Sequence, residues 1–189
     1  MPAILETLLE IPAGFASATV ARCLAELDDQ SRRLIEATRG MTVEELGWQP
    51  APGTNTIGML LAHIAVAEAH MTDVGLARLE HSDVPAVVGL RPDDDGLPLP
   101  ADGAPPEILA GRSIDWFHGL LEKARAHTHL VARRLSDADL QRLVTRRRAD
   151  GTTRVFSVDW MLYHLLEHEA GHFGQILLLR HLHRARTGA

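Results

Sequence analysis

Four long stretches of the chain carry apolar residues at helical spacing, and this pattern restricts the fold more than any other feature. From Ala18 to Arg39, the residues Val20, Leu24, Leu27, Leu34 and Ile35 fall at three-, four- and seven-residue steps. They therefore share one stripe of a helix, which Gly40 ends as a C-cap. A second helix is expected from Asn55 or Thr56 to about Leu79, carrying Ile57, Leu60, Leu61, Ile64, Val66 and Met71. Its composition is so apolar that a central position is expected. A third runs from about Pro106 to Leu135, with Ile108, Ile114, Phe117, Leu120, Leu121 and Leu130 on its apolar side. The last, capped by Ser157, runs through Trp160, Leu162, Leu165, Leu166, Phe173, Ile176, Leu177 and Leu179 to about His183. Four such amphipathic helices predict an all-α fold, a four-helix bundle.

The connections are equally informative. Thr42-Val43-Glu44-Glu45 matches a capping box, and Trp48 to Gly53 is dense in helix breakers. From Asp83 to Pro106 there are six prolines, three glycines and the run Asp93-Asp94-Asp95. That composition predicts a long extended or mobile crossover, or a lid. Ser136 to Asp139 predicts another short helical turn. Before the last helix, Leu143 to Arg148 and Thr152 to Phe156 flank Ala149-Asp150-Gly151, which predicts a small β-hairpin whose arginines at 146, 147 and 148 form a solvated face.

Composition excludes several function classes. The length of 189 residues suits one domain spanning 1–189, and 46% hydrophobic residues are enough for a real core. With 25 acidic against 19 basic groups the formal charge is −6, so no overall basic field exists to bind nucleic acid. No window approaches the roughly 18 apolar residues of a membrane span, and no leader pattern opens the chain, so neither membrane insertion nor export is expected. Cys23 is the single cysteine, which rules out an intramolecular disulfide and fits a reducing cytoplasm. Its surroundings, Val20 to Ala25, are those of a buried structural thiol rather than a nucleophile.

Eleven histidines are many for this length, and their placement carries the chemistry. His164, His168 and His172 recur every four residues on the last helix. A four-residue step overshoots one helical turn by about 40°, so neighbouring rings stack along one face and an i, i+4 pair forms a metal clamp. The third ligand must come from another helix. His63, within Leu60-Leu61-Ala62-His63-Ile64-Ala65-Val66, stands in the most apolar helix, where an unpartnered imidazole is expensive to bury. The expected centre is thus His63, His168 and His172, with His164 as a supporting partner or pocket wall. His70, His81, His118, His127, His129, His181 and His183 have no such arrangement and are expected at surfaces or helix ends. Glu68, five residues past His63, is rotated from it by about 140°, and Glu169 also points away from the histidine face.

The stretches Asn55-Thr56-Ile57-Gly58-Met59-Leu60-Leu61-Ala62-His63-Ile64-Ala65 and His164-Leu165-Leu166-Glu167-His168-Glu169-Ala170-Gly171-His172-Phe173-Gly174-Gln175-Ile176 resemble the two signature helices of the DinB-like superfamily. The Trp48-x-Pro loop and the separation of the two motifs agree, so the resemblance covers most of the chain. It implies a DinB-like four-helix bundle, three metal-binding histidines at His63, His168 and His172, and zinc or nickel as the divalent ion. It also implies a relation to transferases and isomerases that use a low-molecular-weight thiol, bacillithiol or mycothiol. Gly171 and Phe173 stand where many members carry a histidine and an arginine.

Three neutral imidazoles leave a coordination position open, as in catalytic rather than sealed structural sites. One reading is therefore an enzyme acting on a small-molecule substrate, either a thiol S-transferase, with Arg112 or Arg154 available for cofactor carboxylates, or a metal-dependent hydrolase. The other is a non-catalytic metal-binding or interaction module, with a homodimer as the expected assembly. A di-iron carboxylate bundle is disfavoured, because Glu169-x-x-His172 is its only matching element.

Overall fold

The structure, a computed structural model, describes residues 8–147 and 150–188. Its elements run α1 (Ala18–Thr38), α2 (Val43–Gly47), α3 (Ile57–Met71) with a π-helical continuation (Thr72–Leu76), and α4 (Val84–Val88). A 3-10 turn (Glu107–Leu109), α5 (Ile114–Ala132), α6 (Asp137–Leu140), the strands β1 (Leu143–Arg147) and β2 (Thr153–Ser157), and α7 (Val158–Thr187) follow. The chain is mostly helical, and its antiparallel hairpin sits directly before the last helix, in the register Val144 to Phe156 and Arg146 to Arg154. Arg148 and Ala149, which belong to the predicted hairpin, lie outside the described residues. No helix among the described residues is long and apolar enough to cross a membrane.

Each long helix begins on a hydroxyl cap. Ser17, Thr56, Ser113 and Ser157 accept from the backbone N–H three residues on, replacing the carbonyl partner that a first-turn amide lacks. Thr42 and Glu45 close the predicted capping box of α2. Helix α3 packs on α5 and α7, and α1 packs on the same two helices, so each long helix has two long neighbours. Of these, α3 is buried on nearly every side, as its composition requires. Where Gly58 passes α5, an added Cβ would sit 2.9 Å from Cζ of Phe117, so the close approach needs glycine there.

Two apolar clusters result. One joins α3 to α4 and the first half of α5, around Leu60, Ile64 and Phe117. The other joins α1, the start of α7, the end of α5 and the hairpin, around Leu24, Leu162 and Leu165. A charged cluster lies at the seam between them. Arg125 of α5 donates through Nε and Nη2 to both oxygens of Glu68 on α3, at 2.8 and 3.0 Å. It also donates to Glu169 of α7 at 3.0 Å and to Asp28 of α1 at 3.1 Å. Ser31 donates to Glu169 and Thr128 to Glu68, each at 2.7 Å, while His129 donates to Asp28 at 2.9 Å. Burial disfavours the Arg125 cation, but the surrounding carboxylates outweigh it and raise its pKa further. Burial also pushes the Glu169 carboxyl above its usual range, against the pull of Arg125.

Several expectations are corrected. The 83–106 segment is not uniformly extended: Asp83 caps α4, with Pro85 in its first turn and Gly89 at φ +82° ending it, and Asp94 and Asp95 are buried. The third long helix starts at Ile114, not Pro106, because Gly111 at φ +69° separates it from the 3-10 turn. Leu130 and Ile108, expected on the apolar side, are exposed. Arg146 is not solvated, since it donates to the carbonyls of Val74, at 2.6 Å, and Leu79 and so ties the hairpin to the end of the π turn. Four histidines expected at surfaces or helix ends also bridge elements, His129 doing so from the last turn of α5. His127 donates to Asp73 at 2.7 Å, His129 to Asp28 and His118 pairs with Thr38 at 2.9 Å, while His183 is buried edge-on against Trp48.

The charged cluster yields a stability prediction. Arg125→Met removes the guanidinium shared by three buried or half-buried carboxylates and should destabilise the fold by about 3–5 kcal/mol in urea denaturation. The double variant Arg125→Met, Glu169→Gln should recover part of that loss.

Candidate metal centre

Burial of the apolar faces of α3 and α7 brings His63 against the His168–His172 pair. Nε2 of His168 lies 3.2 Å from Nε2 of His63 and 3.2 Å from Nε2 of His172. Among the described residues these three are the group with metal-ligand geometry, their ligand atoms all lying within 4.8 Å of one another. Nitrogens bound to one ion at typical imidazole distances stand about 2.9 Å apart at right angles and about 3.4 Å apart at the tetrahedral angle. Both distances to His168 fall between these values and the ligand atoms of His63 and His172 lie within 4.8 Å of each other, so the three side chains are placed to share one divalent ion.

The outer nitrogens explain why the inner ones converge. His63 donates its Nδ1–H to Oδ2 of Asp95 at 2.8 Å, and His172 donates its Nδ1–H to Oε1 of Gln175 at 3.0 Å. A neutral imidazole carries one proton, so committing it at Nδ1 turns the Nε2 lone pair of both rings inward. Burial pushes His168 down to about 3, with the positive potential of His172, His63 and His164 adding to the shift. Burial likewise lowers His172, although its bond to Gln175 opposes the change. Imidazoles that stay unprotonated at neutral pH are the form that ligates metal.

Asp95 was missed in the sequence, where it is one of three consecutive aspartates in the proline-rich segment. Its side chain is 3% exposed, and its second oxygen accepts from the backbone N–H of Leu97 at 3.0 Å. Asp94 beside it takes a different role, pairing with Arg91 at 2.9 Å and turning the chain so that Asp95 faces α3. The crossover is thus part of the centre. Leu97, Pro98 and Leu99 join Gly53, Asn55 and His63 in lining an open cleft of about 400 Å³ beside the histidines. A larger hollow of about 650 Å³ lies elsewhere, between α1 and α5 around Ile35 and Leu121, and contains none of these histidines.

His164 does not join the three. Its ring centroid lies 6.0 Å from that of His168, its Nδ1–H donates to Glu167 at 2.8 Å, and it stacks on Trp160 at 4.4 Å. His164 therefore stands next to the group without being one of its converging members. Glu68 and Glu169 also stay away from the histidine nitrogens. Their place in the charged cluster was not anticipated, although an acid within the most apolar helix signals a buried partner as strongly as His63 does. Of the two arginines considered for anion binding, Arg112 lies over Trp116 at 4.8 Å and Arg154 over Trp160 at 4.4 Å.

The family model of the DinB superfamily matches residues 26–176, a stretch that contains all three histidines, and the chain belongs to that superfamily. No curated protein matches the sequence.

Removing the Asp95 carboxylate should loosen His63 without emptying the fold. Asp95→Asn should weaken zinc binding by about 10- to 100-fold in competition with a chromophoric chelator, with little change in circular dichroism. An unchanged affinity would show that Asp95 does not orient the ligand.

Proposed function

We propose that this member of the DinB superfamily is a single-domain four-helix bundle of the DinB type that holds a divalent ion, zinc or nickel, on His63, His168 and His172. We propose further that it uses this centre to transfer a low-molecular-weight thiol onto a small electrophilic substrate. The observation that carries the reading is the convergence of three Nε2 atoms, two of them, on His63 and His172, turned inward by the bonds that Asp95 and Gln175 make to the outer nitrogens. Three protein ligands leave room for an exogenous one, and a bound ion would keep a thiol ionised near neutral pH.

The chain's own residues supply position rather than proton transfer. Asp95 fixes His63, Gln175 fixes His172, and the apolar side chains of Leu97 and Leu99 flank the cleft through which a substrate reaches them. Hydrolysis at such a centre is assisted by a carboxylate or other base free to take a proton from the attacking water. Asp95 is committed to His63 and the Leu97 amide, and Glu169 to Arg125 and Ser31. A thiol, whose pKa lies far below that of water before any metal binds it, depends less on such help, and this favours thiol transfer over hydrolysis.

A second reading, a homodimeric interaction module, is supported by one observation. Tyr163, Leu177, Leu178 and Leu182 of α7 are exposed, a run of apolar surface that a second copy of the chain would cover.

Cobalt(II) substitution separates the two. With 2-mercaptoethanol the cobalt-loaded protein should develop a near-ultraviolet sulfur-to-metal charge-transfer band that saturates with thiol and is lost in His168→Ala. A cobalt-loaded protein that develops no such band contradicts the thiol reading and leaves the interaction module.

A further inference from the structure

Beyond the three converging histidines, α7 continues the same four-residue row toward its N-terminus. Trp160, His164, His168 and His172 follow one another at i, i+4, and each ring touches the next. The centroids of His172 and His168 are 4.5 Å apart, those of His168 and His164 6.0 Å, and those of His164 and Trp160 4.4 Å. The last pair is stacked nearly parallel, at 22°. Arg154 of β2 also lies over the indole, with its guanidinium carbon 4.4 Å from the ring centroid. His63, His168, His164 and Trp160 are each partly open to solvent and Arg154 is exposed, so the row forms one wall along the protein surface.

The charge on this wall is unbalanced. Arg154 stands directly opposite Arg146 in the hairpin register, an arrangement that like charges disfavour. Arg146 is taken up by the carbonyls of Val74 and Leu79. Among the described residues no carboxylate lies within ion-pair distance of Arg154, whose guanidinium lies over the face of Trp160. Of the acids on this stretch of α7, Glu167 is engaged by His164 and Glu169 by Arg125, while Asp159, which precedes Trp160 in the first turn, makes no ion pair with Arg154. An arginine held over an indole by its charge keeps its fork of N–H donors available to a carboxylate.

The geometry points to Arg154, Trp160 and His164 as an anion-binding subsite for the ligand that the histidine centre takes at its other end. Its ligand class is a thiol that bears a carboxylate several bonds away from sulfur. The sulfur sits at the histidines, the carboxylate pairs with Arg154, and the intervening chain lies along His164 and Trp160. Arg112 has no comparable route to the centre through ring contacts. This inference rests on the proposed thiol chemistry, and it converts that chemistry into a preference among thiols.

The test compares three thiols on cobalt-loaded protein: glutathione, its diethyl ester, and 2-mercaptoethanol. The expected result is a dissociation constant about tenfold lower for glutathione than for the diester, matching one added ion pair. Arg154→Gln should abolish that difference, Arg154→Lys should restore part of it, and neither should change binding of 2-mercaptoethanol. A second readout does not involve sulfur on the metal. S-methylglutathione should alter the tryptophan emission of the parent protein but not that of Trp160→Phe. Equal affinities for glutathione and its diester, or a preference that survives Arg154→Gln, would overturn the subsite. Failure of 2-mercaptoethanol to give the band would instead remove the thiol chemistry, and the S-methylglutathione titration would then decide the anion site by itself.

Discussion

Arg125 is the residue on which the arrangement of the four long helices depends. It lies between two apolar clusters, and its guanidinium donates to Glu68 of α3, Glu169 of α7 and Asp28 of α1. Apolar packing is tolerant of small axial slips, because one leucine can replace another in the same groove. A buried guanidinium is not: its donors must meet acceptors in fixed directions, and an unmet one costs as much as the bond is worth. Glu68 lies five residues past His63 and Glu169 one residue past His168. Fixing the two glutamates on one arginine therefore fixes the register in which the two histidines meet.

The remaining ligand geometry comes from segments with little regular structure. Asp95 turns the Nε2 of His63 inward, and Asp95 is itself held in a crossover whose Leu97, Pro98 and Leu99 wall the cleft. The same segment that completes the centre thus limits access to it. On the opposite flank the wall is made by α7, where His164 and Trp160 extend the histidine row to Arg154. The proposed ion would sit between an apolar entrance and a cationic platform, an arrangement that selects for length and charge in whatever binds.

The parts of this structure that were legible in the sequence are those governed by local periodicity. Helical spacing located all four long helices, the hydroxyls of Thr56 and Ser157 marked the starts of two of them, and the four-residue step placed His168 and His172 on one face, whereas the start of the third helix at Ser113 was not legible. His63 was found because a polar side chain in a very apolar helix needs a partner. The same logic applied to Glu68, but its partner, Arg125, lies on a helix with no periodic anomaly, and three-way pairing leaves no local trace. Asp95 was hidden for a different reason. It differs from Asp93 and Asp94 only in which way the chain turns at Arg91, and that turn is set by tertiary contacts. The π continuation at Thr72–Leu76 and the short α4 fall in the same category: Asp73 accepts from His127 of α5 and from the Asp83 amide, long-range bonds that override local propensity.

Whether His63, His168 and His172 hold one divalent ion, as proposed, is read most directly from elemental analysis of protein purified without chelators or a histidine tag, beside the triple variant His63→Ala, His168→Ala, His172→Ala. Close to one equivalent of zinc or nickel per chain is expected in the parent and none above background in a folded variant. A folded parent that takes up no metal, or equal metal content in the two proteins, would contradict the proposal.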